Sequence, residues 1–356
     1  MRIGLTLPNR GVMFGATSGE QLLRHARTAD ECGQFDAVFV GDSLLAKPRV
    51  ESIVLLSAVA AVTTRVRLGT ACMASFPLRD PVLLASQWAS LDYLSGGRTV
   101  LVVCTGIVNQ AGANAEAATY RVSSEDRVKR MIESIALIKQ LWTEDDVSFQ
   151  GDYFACTGVT IGPKPATKPR PPICIANNAM PRHHLGEGGS VPEEAESRAQ
   201  YADEQFVRRT MRRVARYADG WQTAGVFAPV ELGRRLGILR EELHALERDV
   251  STFETHLYHN ININSDREVA VAESKRFLDE YYGPVFGEPI VRNWTACGSP
   301  AECAEMLQVL GELGFSEITL RITSWDQETQ FRKLREDVLP RLGATGVRPA
   351  THVAPP

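Results

Sequence analysis

The sequence predicts an α/β chain folded as a (β/α)8 barrel, the TIM-barrel architecture, with insertions after strands four, five and seven. Three observations lead there. Short apolar runs alternate with longer amphipathic stretches along the 356 residues. The runs are apolar almost throughout, as strands covered by helices are. Eight of them recur, starting near residues 2, 36, 66, 99, 172, 219, 255 and 317.

Arg2–Leu7 (RIGLTL) reads as the first strand. The following stretch, 20–33, sets Leu22, Leu23, Ala26 and Ala29 at helical spacing, with Gly33 suited to a C-cap. Residues 36–40 (DAVFV) give the second strand, 51–64 a helix, 66–68 the third strand and 69–70 its turn. A helix over 81–94 closes at Ser95-Gly96-Gly97, and 99–104 is the fourth strand. Residues 128–142 form a strong helix with Met131, Ile135, Ile138 and Leu141 on one face. The rhythm then breaks into a hairpin at 147–156 and a proline-rich loop at 163–172. It resumes with PICIA at 172–176, followed by a polar, glycine-rich insertion over 180–202 that is expected to form a loop or lid. Helices over 206–218, 230–248 and 268–282 alternate with strands near 219 and 255. After an irregular segment at 283–297, a helix at 300–313, a strand at 317–322 and a terminal helix at 327–342 complete the pattern. One domain over 1–342 with a loose tail at 343–356 is expected.

Net charge is −4, from 39 basic and 43 acidic residues mixed along the chain. That balance argues against nucleic acid and anionic membrane as partners. The longest apolar stretch, 53–62, is too short to span a bilayer, and the first residues read as a strand rather than a signal peptide. The seven cysteines show no zinc-like spacing, so no metal site is expected, and most read as buried thiols in the reducing cytoplasm. A small-molecule substrate is the expected partner.

Beyond periodicity, ordered motifs carry a resemblance. They include Ala29-Asp30-Glu31-Cys32-Gly33 with Phe35-Asp36-Ala37, then Arg65 through Thr70, then Ser95-Gly96-Gly97-Arg98. Phe149-x-Gly151-x-Tyr153-Phe154, Pro163-Lys164-Pro165, Ala218-Asp219-Gly220-Trp221 and Cys297-Gly298-Ser299-Pro300 follow in order. Together they resemble the luciferase-like flavin-dependent oxidoreductases. The resemblance implies a flavin at the C-terminal ends of the strands. The first choice is reduced FMN with O2, as a monooxygenase with a separate flavin reductase as a candidate partner. The alternatives are the deazaflavin F420, as a dehydrogenase or reductase, and a flavin-binding protein without turnover. It also implies a homo-oligomer, commonly a dimer or a tetramer.

Barrel active sites lie at strand C-termini. There the second strand ends at Asp42-Ser43, where many family members have Asp-His. Asp42 is read as a cofactor contact and Ser43 as a catalytic candidate, although serine cannot buffer a proton near neutrality. Thr70, Ala71 and Cys72 after the third strand are read as the flavin wall, where the family often has a non-prolyl cis peptide. A bulky residue at Thr70 is expected to block the flavin and spare the fold. Cys104 and Gly106 follow the fourth strand; bacterial luciferase, which this segment resembles, has a cysteine near its flavin there, so Cys104 counts as both catalytic and cofactor-binding. Ala176, Asn177 and Asn178, with Arg127, suit a phosphate. His183-His184 reads as loop, His25 as surface, and His256 and His259 as facing opposite sides of the seventh strand.

Overall fold

The computed structural model describes residues 1–106, 111–179 and 204–343. Its strands are β1 Arg2–Leu7, β2 Ala37–Val40, β3 Arg67–Thr70, β4 Thr99–Val103, β5 Val147–Gln150, β6 Ala155–Val159, β7 Ile173–Ala176, β8 Gly220–Ala224, β9 Glu254–Ile263, β10 Thr295–Gly298 and β11 Glu317–Ile322. Strands β1, β2, β3, β4, β7, β8, β9 and β11 pair in parallel, and the β8–β9 pairing closes the barrel. All eight strand positions expected from the sequence are therefore occupied. The expected hairpin is the antiparallel pair β5–β6, set between β4 and β7.

β9 is long because it serves three partners. Its residues 254–258 pair with β8, 256–261 with β11, and 260–263 with β10. Asn260 and Ile261 meet both β11 and β10, so β10 lies on the edge that β8 leaves free. The segment 283–297, expected to be irregular, instead holds the helix Glu288–Trp294 and most of β10. Likewise the helix Ala111–Tyr120 stands between the expected strand at 99–104 and the expected helix at 128–142, where the periodicity marks no element. Both runs are short and weakly patterned, so tertiary contact rather than periodicity defines them. The insertion at 180–202, with His183-His184, lies outside the described residues, as does the tail beyond 343.

Side-chain alternation divides the barrel into two packed regions. Outward residues such as Leu5, Val38, Leu68, Leu101 and Ile175 join the helices in one large core. Inward residues fill the lumen: Ala37, Phe39, Val100, Val102 and Cys174 cluster there with Ala71, Cys72 and Ala176. Gly69 faces the lumen too, and a Cβ there would lie 2.7 Å from Phe39 and from the Val100 carbonyl. At the N-terminal floor Glu254 accepts from Arg67 at 2.8 and 2.9 Å and from Arg2 at 2.8 Å, and its Oε2 lies 2.8 Å from His256 Nε2. His25 is not a surface residue; it is buried against Phe331 with Nε2 3.2 Å from Glu328.

Candidate active site

The residues singled out at the strand ends do meet at one end of the barrel, but several are already engaged. Asp42 is buried, and its Oδ1 accepts from Ser52 Oγ at 2.7 Å and Arg79 at 3.0 Å. Its Oδ2 accepts from the Ser75 amide at 2.8 Å and the Ser75 hydroxyl at 2.6 Å. The carboxylate thus ties the loop after β3 to β2. Burial opposes the Arg79 charge, but Asp42 and Glu51 outweigh it and hold that guanidinium more firmly protonated than usual. Ser43 Oγ accepts from the Lys47 amide at 3.0 Å and so caps its own turn. That turn is held from below by Glu116, whose Oε1 accepts from the amides of Leu44, Leu45 and Ala46 at 3.1, 2.8 and 3.2 Å.

After β3 the peptide Ala71–Cys72 is cis, as the resemblance implies. Ala71, Cys72 and Ala176 share the lumen cluster, a low wall of small side chains under the mouth. Thr70 does not belong to it. Its side chain alternates with that of lumen-facing Gly69, is fully buried, and donates to the Val102 carbonyl at 2.7 Å. A bulky residue there is expected to overpack the shell between strands and helices and so to cost stability as well.

Cys72 and Cys104, read as thiols, are joined in a disulfide that spans 32 residues, with Cα atoms 6.0 Å apart. In this state Cys104 has no thiolate and cannot act as a nucleophile. The crosslink fastens the loop after β3 to the end of β4. Closing a loop of this length constrains the unfolded chain by about 3–4 kcal/mol in the chain-entropy account. Adding dithiothreitol, or replacing Cys104 by serine, is expected to lower the denaturation midpoint accordingly. An unchanged midpoint under full reduction would show that the pair is not linked in solution.

Gly106 and Arg127 also come together. Gly106 has φ +72°, and a Cβ there would lie 3.1 Å from both Arg127 Nη1 and the Ala74 carbonyl. Arg127 is buried and donates to the Thr105 carbonyl at 3.0 Å. Asn177 and Asn178 act mainly on their own backbone surroundings. Asn177 Oδ1 accepts from the Ala179 amide, while Asn178 Oδ1 accepts from the Ala224 amide at 2.9 Å and Thr223 at 3.2 Å. Arg235, not singled out in the sequence, donates to the Asn178 carbonyl and pairs with Glu231 at 2.7 Å.

The opposite side of the mouth, around β1, β2, β9 and β11, is crowded with rings and cations. Above lumen-facing Gly41 sit Arg49 Nη1 and the Tyr281 hydroxyl, 2.4 and 3.0 Å from where a Cβ would be. Tyr281 and Tyr282 have centroids 4.9 Å apart, and Tyr282 stacks near Trp294 at 5.9 Å. Lys47 reaches into this group with Nζ 5.1 Å from the Tyr282 ring centre and no hydrogen-bond partner among the described residues. Burial, reinforced by Arg49 and Arg10, pushes its pKa down to about 7.

The two histidines of β9 do face opposite ways, and neither lies free at the mouth. His256 belongs to the floor with Glu254. His259 points at the segment after β8, 2.2 Å from a Cβ placed on Gly225, and burial lowers its pKa to about 3.

Comparison with known proteins agrees with this architecture. The chain is 26% identical over 335 residues to an F420-dependent glucose-6-phosphate dehydrogenase of Intrasporangium calvum, covering 90% of this chain and 94% of that one. The enzyme of the same name from Amycolatopsis mediterranei is also 26% identical, with 91% and 95% covered. Among solved structures, an F420-dependent secondary alcohol dehydrogenase superposes with a TM-score of 0.75 at 18% identity, covering 96% of this chain and 98% of that one. Monooxygenase RslO1 from Streptomyces bottropensis gives 0.72 at 21% identity, with 96% and 99% covered. The model of the luciferase-like monooxygenases matches residues 1–182. With its closed barrel, its cis peptide after β3 and its ordered motifs, the chain belongs to the luciferase-like monooxygenase family.

Proposed function

We infer that this protein is an F420-dependent dehydrogenase or reductase. The supporting observation is the division of the barrel mouth. On the β3, β4 and β7 side, Ala71, Cys72 and Ala176 leave a low apolar wall where a planar tricyclic ring can lie. On the β1, β2, β9 and β11 side, rings and cations offer a substrate something to bind. The extended similarity to F420-dependent dehydrogenases favours F420 over the FMN that the resemblance puts first. It also favours hydride exchange over oxygen insertion.

The small wall fits a deazaflavin ring, and Arg127 with Gly106 is placed to take a cofactor phosphate. When bound, F420 supplies a ring carbon that accepts or gives a hydride. The chain supplies the rest. Removing hydride from a carbon that bears a hydroxyl also requires that the hydroxyl proton leave. No histidine stands at position 43, but Lys47 lies in the same turn. Its amine is buried, lacks a hydrogen-bond partner among the described residues and gives up its proton near neutrality. Lys47 is therefore the base in this reading, and Ser43 holds its turn. The tyrosines and Trp294 pack ring against ring on that side and would limit the access of water to it.

Titration of the apoprotein with F420, FMN and reduced FMN, followed by absorbance and fluorescence, tests the cofactor. Selective binding of F420 is the expected result. Selective binding of reduced FMN with oxygen consumption coupled to product would restore the monooxygenase reading.

A further inference from the structure

One layer inside the barrel holds three side chains that each keep a buried donor atom unpartnered among the described residues. Arg321 on β11 pairs in register with Asn260 on β9. On the other side, Leu5↔Leu320 sets Thr6 of β1 beside Arg321. Thr6, Asn260 and Arg321 are at most 1% exposed. Arg321 Nη2, Asn260 Nδ2 and Thr6 Oγ1 have no hydrogen-bond partner among the described residues.

The guanidinium is the telling member. It lies 4.4 Å from the centre of the Tyr281 ring, 5.0 Å from Tyr282, 5.2 Å from Tyr258 and 5.5 Å from Trp294. It donates to Asn260 Oδ1 at 3.1 Å and to the Tyr282 hydroxyl at 2.8 Å. Among the described residues no carboxylate pairs with it. The two arginines of the barrel floor, by contrast, share Glu254 and Glu317. A fully buried charge is normally paired. The rings ease its burial and orient it, but cation–π contacts carry no opposite charge.

We propose that Arg321, Asn260 and Thr6 form an anion subsite at the barrel mouth that holds the carboxylate of a small organic-acid substrate. A planar guanidinium fork matches a planar carboxylate, and the amide and hydroxyl supply the remaining donors. Carboxylate is favoured over phosphate because Arg321 is the one cation of this layer among the described residues, too little to balance a dianion. The inference rests on the reading that substrate occupies the ring-lined side of the mouth. It is independent of which flavin occupies the other side.

The test uses the full chain with butyrate, butyramide, glucose 6-phosphate and inorganic phosphate, each titrated calorimetrically with and without F420. Butyrate is expected to bind at least tenfold more tightly than butyramide and than either phosphate, and Arg321→Met should lose that preference while F420 affinity stays within about twofold. Asn260→Asp keeps the fold by placing a carboxylate beside Arg321, and should raise the melting temperature and abolish butyrate binding. Equal binding of butyrate and butyramide would overturn the proposal, as would a preference for phosphate. So would undiminished butyrate binding by Asn260→Asp, or an Arg321→Met protein that loses F420 instead, which would assign the guanidinium to the cofactor. Failure of the F420 reading has a different signature, since butyrate would still bind when F420 does not.

Discussion

Replacing Lys47 by glutamine is expected to lower kcat for F420 reduction by 10²- to 10⁴-fold, the usual contribution of a positioned base, with F420 affinity unchanged. The wild-type rate should rise with pH through about 7, because Lys47 has a pKa of about 7 and works only when neutral. The sign follows from the group. Burial and the charges of Arg49 and Arg10 favour the free amine, so protonation below that pH removes the base. Lys47→Arg should be as inactive as Lys47→Gln, since a guanidinium keeps its proton. The assay is loss of F420 absorbance over a panel of hydroxy acids, secondary alcohols and sugar phosphates, at several pH values. If Lys47→Arg retained wild-type turnover, the residue would be serving as a positive charge and not as a base.

Glu254→Gln is expected to cost about 3–5 kcal/mol of folding free energy, the range for breaking a buried ion pair. The reason is the number of cations that depend on one carboxylate. Arg67, Arg2 and His256 all meet it, and Arg67 and Arg2 would be left with Glu317 alone. Burial works against the Glu254 charge, yet the His256 hydrogen bond and the charges of Arg67 and Arg2 hold its pKa far below the usual glutamate range. A carboxylate depressed in this way stabilises the fold fully above its unfolded pKa, near 4.3. That stabilisation is lost progressively as pH falls below this value towards the folded pKa. The gap between wild type and Glu254→Gln, measured by urea unfolding, should therefore stay constant from pH 8 to about 5 and narrow in more acid solution. A gap below about 1 kcal/mol at pH 7 would mean that Glu317 or water takes over the pairing.

Much of the barrel was legible in advance because its signal is local. A buried parallel strand must be apolar along its whole length, and a covering helix must repeat its apolar positions every three to four residues. Both patterns are written in consecutive residues, so all eight strands and the β5–β6 ribbon stand where the sequence puts them. The helix at 111–120 and β10 lack such a pattern. β10 exists because β9 outruns β8 and leaves an edge to be paired.

The site divides along the same line. Motif order pointed to the loop after β3, to Gly106 and to Arg127, and the fold brings them to one rim. What each side chain does there was decided by distant partners. Thr70 turns away from the lumen, Asp42 is consumed by Ser52, Ser75 and Arg79, and Cys104 meets Cys72 across two strands. Lys47 and Arg321 carry no motif at all. In the sequence one is a loop lysine and the other an arginine in an apolar strand. Their chemistry comes from burial and from the charges near them, which depend on loops and strands far apart in the chain. By itself, then, the sequence determined the barrel, its family and the barrel end at which the candidate residues gather. Only the tertiary structure decided which groups there are free to react, because desolvation and charge pairing are set by neighbours in space.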